Sequence, residues 1–274
     1  MQPELTSKEA GMRQANKLET DSSGQATPGV NPVSPDWREP AAGKTFLKKD
    51  TSKVVVSWTG GKDSCFACYT AILAGFEVSH LVNFRDARRS RSHAINLNLL
   101  YAQSRALGIP LVHLDFGSYE EEFKTAIRTL NAGGAGIAGA VFGHIETHKS
   151  LVDRICSELG IALLLPLWQR DSWQLMSEFI DAGFEAIVVS ARADLFGEEW
   201  LGRRTDRDFL RDLRKLNPTI DPCGEYGEFH TFVLDGPLFN DRIRILERGK
   251  RLKNGYWFLD ILDYALERKA DRAE

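Results

Sequence analysis

The sequence predicts an α/β fold, with a doubly wound parallel sheet followed by a smaller C-terminal α/β domain. Between residues 53 and 165, short apolar runs typical of strands alternate with longer segments whose apolar residues recur at helical spacing. This alternation is typical of a parallel sheet with helices on both faces. The chain has 274 residues, 43% of them hydrophobic, which is enough to build a substantial core.

The first half supplies five strands that alternate with four helices. The apolar run 54–56 predicts a buried strand, and Cys65, Cys68 and Ile72 then mark a helix that Gly75 ends. The other predicted elements, in chain order, are strand 78–84, a helix from Ile95 to Gly108, strand 111–114, helix 119–130, strand 140–142, helix 148–159 and strand 161–165.

A second unit is predicted to begin near Pro166. Its elements are helix 172–182, strand 184–190, helix 205–216, strand 229–234 and the turn 235–237. The charged segment 260–274 is expected to form a solvated helix. These patterns predict four regions, which are a disordered leader over 1–50, a first domain over 51–165, a second domain over 166–245 and a tail over 246–274.

Composition narrows the class of protein. A net charge of −3 with 27% charged residues gives no basic footprint, so nucleic acid is not the expected partner. No apolar run approaches the roughly 20 residues of a membrane span. Four scattered cysteines do not form a disulfide pattern, and the acidic leader does not resemble a transit peptide. We therefore expect a cytoplasmic protein without a membrane partner.

The strongest local pattern is the glycine-rich loop between the first strand and the first helix. Two adjacent glycines allow backbone N–H groups to approach a phosphate, and the helix start adds partial positive charge. Lys62 is suited to neutralising phosphate charge, while Asp63 either caps the helix or holds Mg²⁺ through water. The loop predicts an ATP site made by Ser57, Thr59, Gly60, Gly61, Lys62, Asp63 and Ser64. It is not a Walker A loop, because Asp63 follows the lysine.

Three weaker patterns have simpler interpretations. The glycines at 134, 136 and 139 match G-x-G-x-x-G but follow a helix, so a connection is predicted rather than a dinucleotide site. Cys65 and Cys68 are expected to be structural thiols facing the core. His144 and His148 are expected near the nucleotide rather than on zinc, because the H-E-x-x-H order is absent.

The loop Ser57-Trp58-Thr59-Gly60-Gly61-Lys62-Asp63-Ser64 resembles the PP-loop of the N-type ATP pyrophosphatases. The block 223–239, which begins Cys-Gly-Glu-Tyr-Gly-Glu-Phe-His, resembles the C-terminal signature of the diphthine–ammonia ligase (diphthamide synthetase) family. The stretches 89–93, 166–168 and 199–203 also fit, so the resemblance covers about residues 54–240. His230 and the arginine-rich stretch 89–93 resemble the bacterial-type branch of the family. The fold implied is of the adenine nucleotide alpha hydrolase-like, HUP type.

The resemblance implies an amide ligase. A carboxylate attacks the α-phosphate of ATP, giving an acyl-adenylate and pyrophosphate, and ammonia then displaces AMP. Lys62, Asp63, Glu228 and His230 become the candidate catalytic groups, with His230 a candidate base. The residues expected at the acceptor are His93, Arg203, Glu225, Glu228 and His230. The acceptor stays open between protein-borne diphthine on elongation factor 2 and a small molecule, and ATP, ammonia and Mg²⁺ complete the ligands.

Two other functions compete. PP-loop proteins also adenylate RNA bases in tRNA thiolation, but that class usually supplies catalytic cysteines and a basic surface. A nucleotide-sensing module without chemistry is the third hypothesis, and the intact loop together with block 223–239 argues against it.

Overall fold

The computed structural model describes residues 52–85, 95–115 and 117–269, which all belong to one compact unit of the chain. The predicted His93 and the leader lie outside these residues. Within the described part of the chain, no helix has both the length and the apolar character needed to cross a membrane.

The first half forms a five-stranded parallel sheet. Its strands are β1 (Lys53–Ser57), β2 (Glu77–Arg85), β3 (Leu111–Asp115), β4 (Ile137–Val141) and β5 (Ala162–Leu164). They lie in the order β3-β2-β1-β4-β5. The strand order reverses between β1 and β4, and ligands of such sheets bind beyond the carboxyl ends of the strands at this switch point. The predicted doubly wound parallel sheet is therefore confirmed.

Four helices cover the two faces of this sheet. They are α1 (Lys62–Leu73), α2 (Leu97–Leu107), α3 (Tyr119–Ala132) and α4 (Lys149–Leu159). Because side chains alternate along β1, Val55 packs with α3 and α4, whereas Val54 and Val56 pack with α1 and α2. Helix α1 is buried along most of its length because residues of the second sheet belong to the same core cluster.

The second half forms a four-stranded antiparallel sheet. It comprises β6 (Glu185–Arg192), β7 (Phe229–Asp235), β8 (Asp241–Lys253) and β9 (Tyr256–Arg268), in the order β7-β6-β9-β8. Helices α5 (Ser172–Asp181) and α6 (Arg207–Leu216) bury apolar residues in its core. The boundaries between the predicted domains stay a proposal.

The expected helix at 260–274 is wrong over the described residues, because β9 continues to Arg268. Asn254 and Gly255 join β8 to β9 with φ values of 53° and 78°. An Asn-Gly pair with two positive φ values is typical of a type I′ hairpin turn, whose twist suits paired strands. Pairing along the whole of β8 outweighs the helical preference of the charged residues in β9.

Candidate active site

A cavity of about 260 Å³ lies where the glycine-rich loop meets the block 223–231. The carboxyl ends of β1 and β4 open into it, at the switch point of the parallel sheet. Its wall is made by Ser57, Thr59, Gly61, Lys62, Asp63, Ser64, Phe142, Gly143, His144, Thr147, His148, Cys223, Gly224, Glu225, Phe229, His230 and Thr231. Six of the seven predicted ATP-binding residues are among them, together with Glu225 and His230.

The backbone of the loop requires its two glycines. Gly60 has a φ of 79°, and a Cβ at this position would lie 2.7 Å from Leu100 Cδ2. A Cβ on Gly61 would lie 3.1 Å from the carbonyl oxygen of Thr231. Gly60 itself is packed against α2 rather than exposed in the cavity, so its contribution is to shape the loop.

Hydroxyl groups hold the loop from inside. Ser64 Oγ accepts a hydrogen bond from the Thr59 amide at 3.3 Å and lies 3.1 Å from Thr59 Oγ1. Ser57 Oγ lies 3.1 Å from the hydroxyl of Tyr119, a contact that the sequence patterns do not indicate. Burial raises the pKa of Tyr119 to about 12, so its phenol remains protonated at neutral pH.

Lys62 is buried at the wall of the cavity and joins the two halves of the site. Its Nζ lies 2.9 Å from both Asp63 carboxylate oxygens and donates to the carbonyl of Cys223. Burial disfavours the ammonium, but Asp63, Cys223 and Asp221 together more than offset this effect, so the pKa of Lys62 is raised. Lys62 is therefore a cation at neutral pH.

The strand β7 is bonded directly to the glycine-rich loop. Thr231 Oγ1 accepts a hydrogen bond from the Lys62 amide at 3.0 Å, and the Val233 amide donates to the Gly60 carbonyl at 3.0 Å. These contacts place His230 in the cavity wall beside the start of α1. Thr231 belongs to the site for this reason, and alternation along β7 alone does not predict it.

The loop after β4 forms the third wall. A Cβ on Gly143 would lie 2.6 Å from the Asp63 carbonyl carbon, so only glycine allows this loop to approach α1 so closely. The rings of His144 and His148 are stacked with centroids 5.3 Å apart. Burial, assisted by the neighbouring His148, lowers the pKa of His144 to about 4. Both histidines line the cavity beside the glycine-rich loop, and their expected nearness to a nucleotide stays a prediction.

Glu225 connects this loop to the second half. Its Oε1 accepts hydrogen bonds from the amides of Glu146 and Thr147 at 3.1 and 3.3 Å and from Thr147 Oγ1 at 3.0 Å. Tyr226 also donates to the Glu146 carboxylate. Glu225 therefore ties the two loops together at the cavity wall.

Two predicted acceptor residues lie elsewhere. Glu228 is buried, and its carboxylate accepts from the Tyr226 amide at 3.0 Å rather than lining the cavity. Arg203 binds Asp212 at 2.8 Å and stacks over the Trp200 ring at 4.5 Å. The structure brings neither side chain to the cavity wall, so any role for them in the reaction stays a prediction.

The donor set fits a magnesium ion that arrives with a nucleotide. Among residues 52–85, 95–115 and 117–269, no three His, Cys, Asp or Glu side chains form a metal-binding group. Asp63, whose side chain is 35% exposed, provides one carboxylate at the cavity. Mg²⁺ commonly binds one or two carboxylates and takes its other ligands from water and phosphates.

Two family models match successive parts of the chain. A family model described as the diphthamide synthase N-terminal domain matches residues 52–163, and the diphthamide synthase C-terminal domain matches residues 171–268. Together these two models span most of the chain, including all the residues that line the cavity.

Curated relatives carry one common name, diphthine–ammonia ligase. The zebrafish (Danio rerio) protein is 28% identical over 223 residues, covering 70% of this chain and 86% of its own. The human protein is 28% identical over 219 residues, covering 70% and 82%. The Schizosaccharomyces pombe protein is longer, so the 28% identical match covers 72% of this chain and 36% of the relative.

A solved structure, described as a predicted subunit of tRNA methyltransferase from Methanocaldococcus jannaschii, aligns with 68% of this chain and 98% of its own. Its TM-score is 0.38 at 15% identity, so it adds nothing to the fold seen directly. The assignment comes from the two domain models, which match residues 52–163 and then 171–268. The chain belongs to the diphthamide synthase family.

Proposed function

We propose that this protein is an ATP-dependent amide ligase that forms AMP and pyrophosphate. A carboxylate of the acceptor attacks the α-phosphate of ATP, and ammonia then displaces AMP to leave an amide. The observation that carries the proposal is the single cavity in which the glycine-rich loop and block 223–231 face each other. Adenylation requires that the nucleotide and the acceptor carboxylate meet at roughly 3–3.5 Å, and a cavity built from both segments supports this.

The residues of the loop are suited to the nucleotide. The start of α1 and the Lys62 ammonium favour negative charge at the phosphates and on the leaving pyrophosphate. Asp63 is the residue that would hold Mg²⁺, and a bound ion would supply charge neutralisation at the phosphates. Because the Lys62 Nζ already pairs with Asp63, we propose that this pair rearranges when MgATP binds.

His230 and Glu225 lie on the opposite wall, which we propose faces the acceptor. The names of the relatives suggest diphthine as that acceptor, and a small carboxylate is the alternative. Thiolation of tRNA is less well supported, because all four cysteines are buried. Burial also raises the pKa of Cys65, Cys68, Cys156 and Cys223, which disfavours the reactive thiolate.

To test the proposed function, the protein is incubated with α-³²P-ATP, ammonium chloride and one acceptor at a time, and the labelled products are identified. The acceptors are diphthine-bearing elongation factor 2, a panel of small carboxylates and bulk tRNA. We expect labelled AMP that depends on an acceptor carboxylate. Turnover to ADP alone would refute the proposal, and AMP formed only with tRNA would favour the thiolation alternative.

A lysine pair separates a direct role from a general charge effect. Lys62→Met should slow AMP formation about 10²–10³-fold, the usual effect of losing one charge-stabilising donor. Lys53→Met is the matched control, because Lys53 forms only an exposed 3.9 Å ion pair with Glu77 on the surface. Equal activity of the two variants would contradict the assignment of Lys62.

A further inference from the structure

A histidine that belongs to neither the glycine-rich loop nor block 223–231 lies in the cavity wall, and its neighbours set the orientation of its ring. His148 lies in the loop after β4 and lines the cavity. Its Nδ1 lies 2.8 Å from Thr147 Oγ1, and that hydroxyl donates at 3.0 Å to Glu225 Oε1. The three side chains form a hydrogen-bonded chain that begins in block 223–231 and ends at an imidazole.

The direction of the chain follows from the number of protons available. The Glu225 carboxylate only accepts, so the single hydroxyl proton of Thr147 is directed to it. The Thr147 oxygen then has only lone pairs to offer His148, which must present an N–H at Nδ1. The imidazole is therefore held as the Nδ1–H tautomer, and Nε2 carries the lone pair.

The backbone at His148 is also unusual. Its φ is 68°, in the left-handed region that non-glycine residues rarely adopt. The residue precedes α4, and its carbonyl accepts the amides of Leu151 and Val152 at 3.1 and 3.2 Å. Strained residues of this kind persist where surrounding contacts hold them, often at functional sites. Here the Glu225 contacts to Glu146 and Thr147 hold the loop.

The proposed ligase reaction needs a base that deprotonates ammonium before it attacks the acyl-adenylate. Ammonia dissolved at neutral pH is almost entirely ammonium, which has no lone pair with which to attack a carbonyl. We propose that His148 Nε2 removes a proton from ammonium at the cavity and that Thr147 and Glu225 position it for this step. This inference rests on the proposed amide-ligase function.

The step balances as follows. Nε2 takes one proton from ammonium, and the released ammonia attacks the acyl carbon of the adenylate. The bond from the acyl carbon to the AMP oxygen breaks, and AMP leaves with the electron pair. The attacking nitrogen loses its extra proton to water, and the exposed His148 imidazolium returns its proton to solvent.

The surrounding charged groups are compatible with this role. His144 stacks on His148 and is neutral at physiological pH, since burial lowers its pKa to about 4. The acidic groups are Glu225, which acts through Thr147, and Glu146, which binds Tyr226. Asp63 also lines the cavity and pairs with Lys62. Lys149 lies over the Trp168 ring at 5.7 Å and so has another partner.

The first test needs no substrate. Long-range ¹H–¹⁵N spectra of the full-length protein with labelled histidines report the tautomer of each of its six imidazoles. His148→Asn identifies the signal, because asparagine tolerates the left-handed backbone. We expect the Nδ1–H form in the parent protein, its loss in Thr147→Val and its retention in Thr147→Ser. Thr219→Val is the control, since Thr219 is exposed and its hydroxyl bonds to Asn217 in the turn after α6. An Nε2–H tautomer in the parent would overturn the inference.

The second test uses the choice of nucleophile. Hydroxylamine is largely unprotonated at pH 7, so it does not need a base before attack. With ammonium, His148→Asn should lose on the order of 10²–10⁴ in amide formation, and the loss should shrink as pH rises. With hydroxylamine, hydroxamate formation should stay close to that of the parent. Equal losses with both nucleophiles, or none with either, would overturn the role of His148.

The two proposals fail in different ways. If the parent protein makes no AMP with any acceptor, the ligase function is wrong. If the parent makes AMP and amide but His148→Asn does so equally well with ammonium at pH 7, only the base assignment is wrong. His80→Asn serves as the matched histidine control, because His80 lies on β2 away from the cavity wall.

Discussion

Gln103 offers the sharpest test of how the glycine-rich loop is held. This side chain on α2 is 0% exposed. Its Nε2 donates to the carbonyls of Gly60 at 3.0 Å and Val233 at 2.7 Å, and its Oε1 accepts from Trp58 Nε1 at 2.9 Å. The side-chain amide of Gln103 therefore connects three parts of the structure, which are the glycine-rich loop, Trp58 and strand β7.

The expected cost follows from the groups that would be left behind. Gln103→Met keeps the length of the side chain but removes all three hydrogen bonds. Gly60 O retains the Val233 amide, whereas Trp58 Nε1 and Val233 O lose this partner. A buried polar group left unsatisfied costs about 1–3 kcal/mol, so the two together predict a loss of about 2–6 kcal/mol.

Equilibrium unfolding in urea at pH 7 measures this loss as a lower midpoint at an unchanged slope. Gln174→Met is the matched control, because Gln174 is exposed and its side chain donates to Glu178 at 2.9 Å. It should change the free energy of unfolding by less than about 0.5 kcal/mol. A loss below about 1 kcal/mol for Gln103→Met would refute the view that this amide holds loop and strand together.

Three further predictions concern single side chains. Gly143→Ala should destabilise by about 1–3 kcal/mol and weaken ATP binding, since its Cβ would press on the Asp63 backbone. Gly133→Ala, whose nearest new contact is 3.4 Å, should change neither in calorimetric titration and urea unfolding. The lowered pKa of His144, about 4, means that the unfolded state binds more protons between pH 6.5 and 4. The free energy of unfolding should therefore decrease as the pH is lowered through that window, by at most about 3 kcal/mol at about 1.4 kcal/mol per pKa unit. His144→Gln should reduce the difference between the unfolding curves at pH 7 and pH 5. Ser190 Oγ is buried without a hydrogen-bond partner in the described structure. Ser190→Ala should therefore be neutral or should stabilise the protein by up to about 1 kcal/mol. A clear loss of stability on urea unfolding would show that the hydroxyl has a partner such as water.

Local patterns predicted most elements of the parallel sheet because each depends on neighbours in sequence. Strand and helix periods alternate between residues 53 and 165, and in the structure nearly every element lies within a few positions of its predicted range. The exception at 260–268 shows the limit of such patterns. Strand β9 is stabilised by pairing with β8 and β6, and that pairing outweighs its local composition. The Asn254-Gly255 pair, which is not among the predicted turns, is the local feature that accompanies the hairpin.

The sequence by itself indicated the family to which the chain belongs and marked the glycine-rich loop as a candidate phosphate site. Paired glycines followed by a lysine at a helix start are a local sequence feature of phosphate sites, so they can be identified from the sequence alone. Only the tertiary structure decided that Thr231, Cys223 and Thr147 join that loop around one cavity. It also placed Glu228 and Arg203 in contacts away from the cavity wall. The physical reason is that hydrogen bonds such as Lys62 to Thr231, 169 residues apart, depend on how the two sheets pack, and no local pattern encodes this.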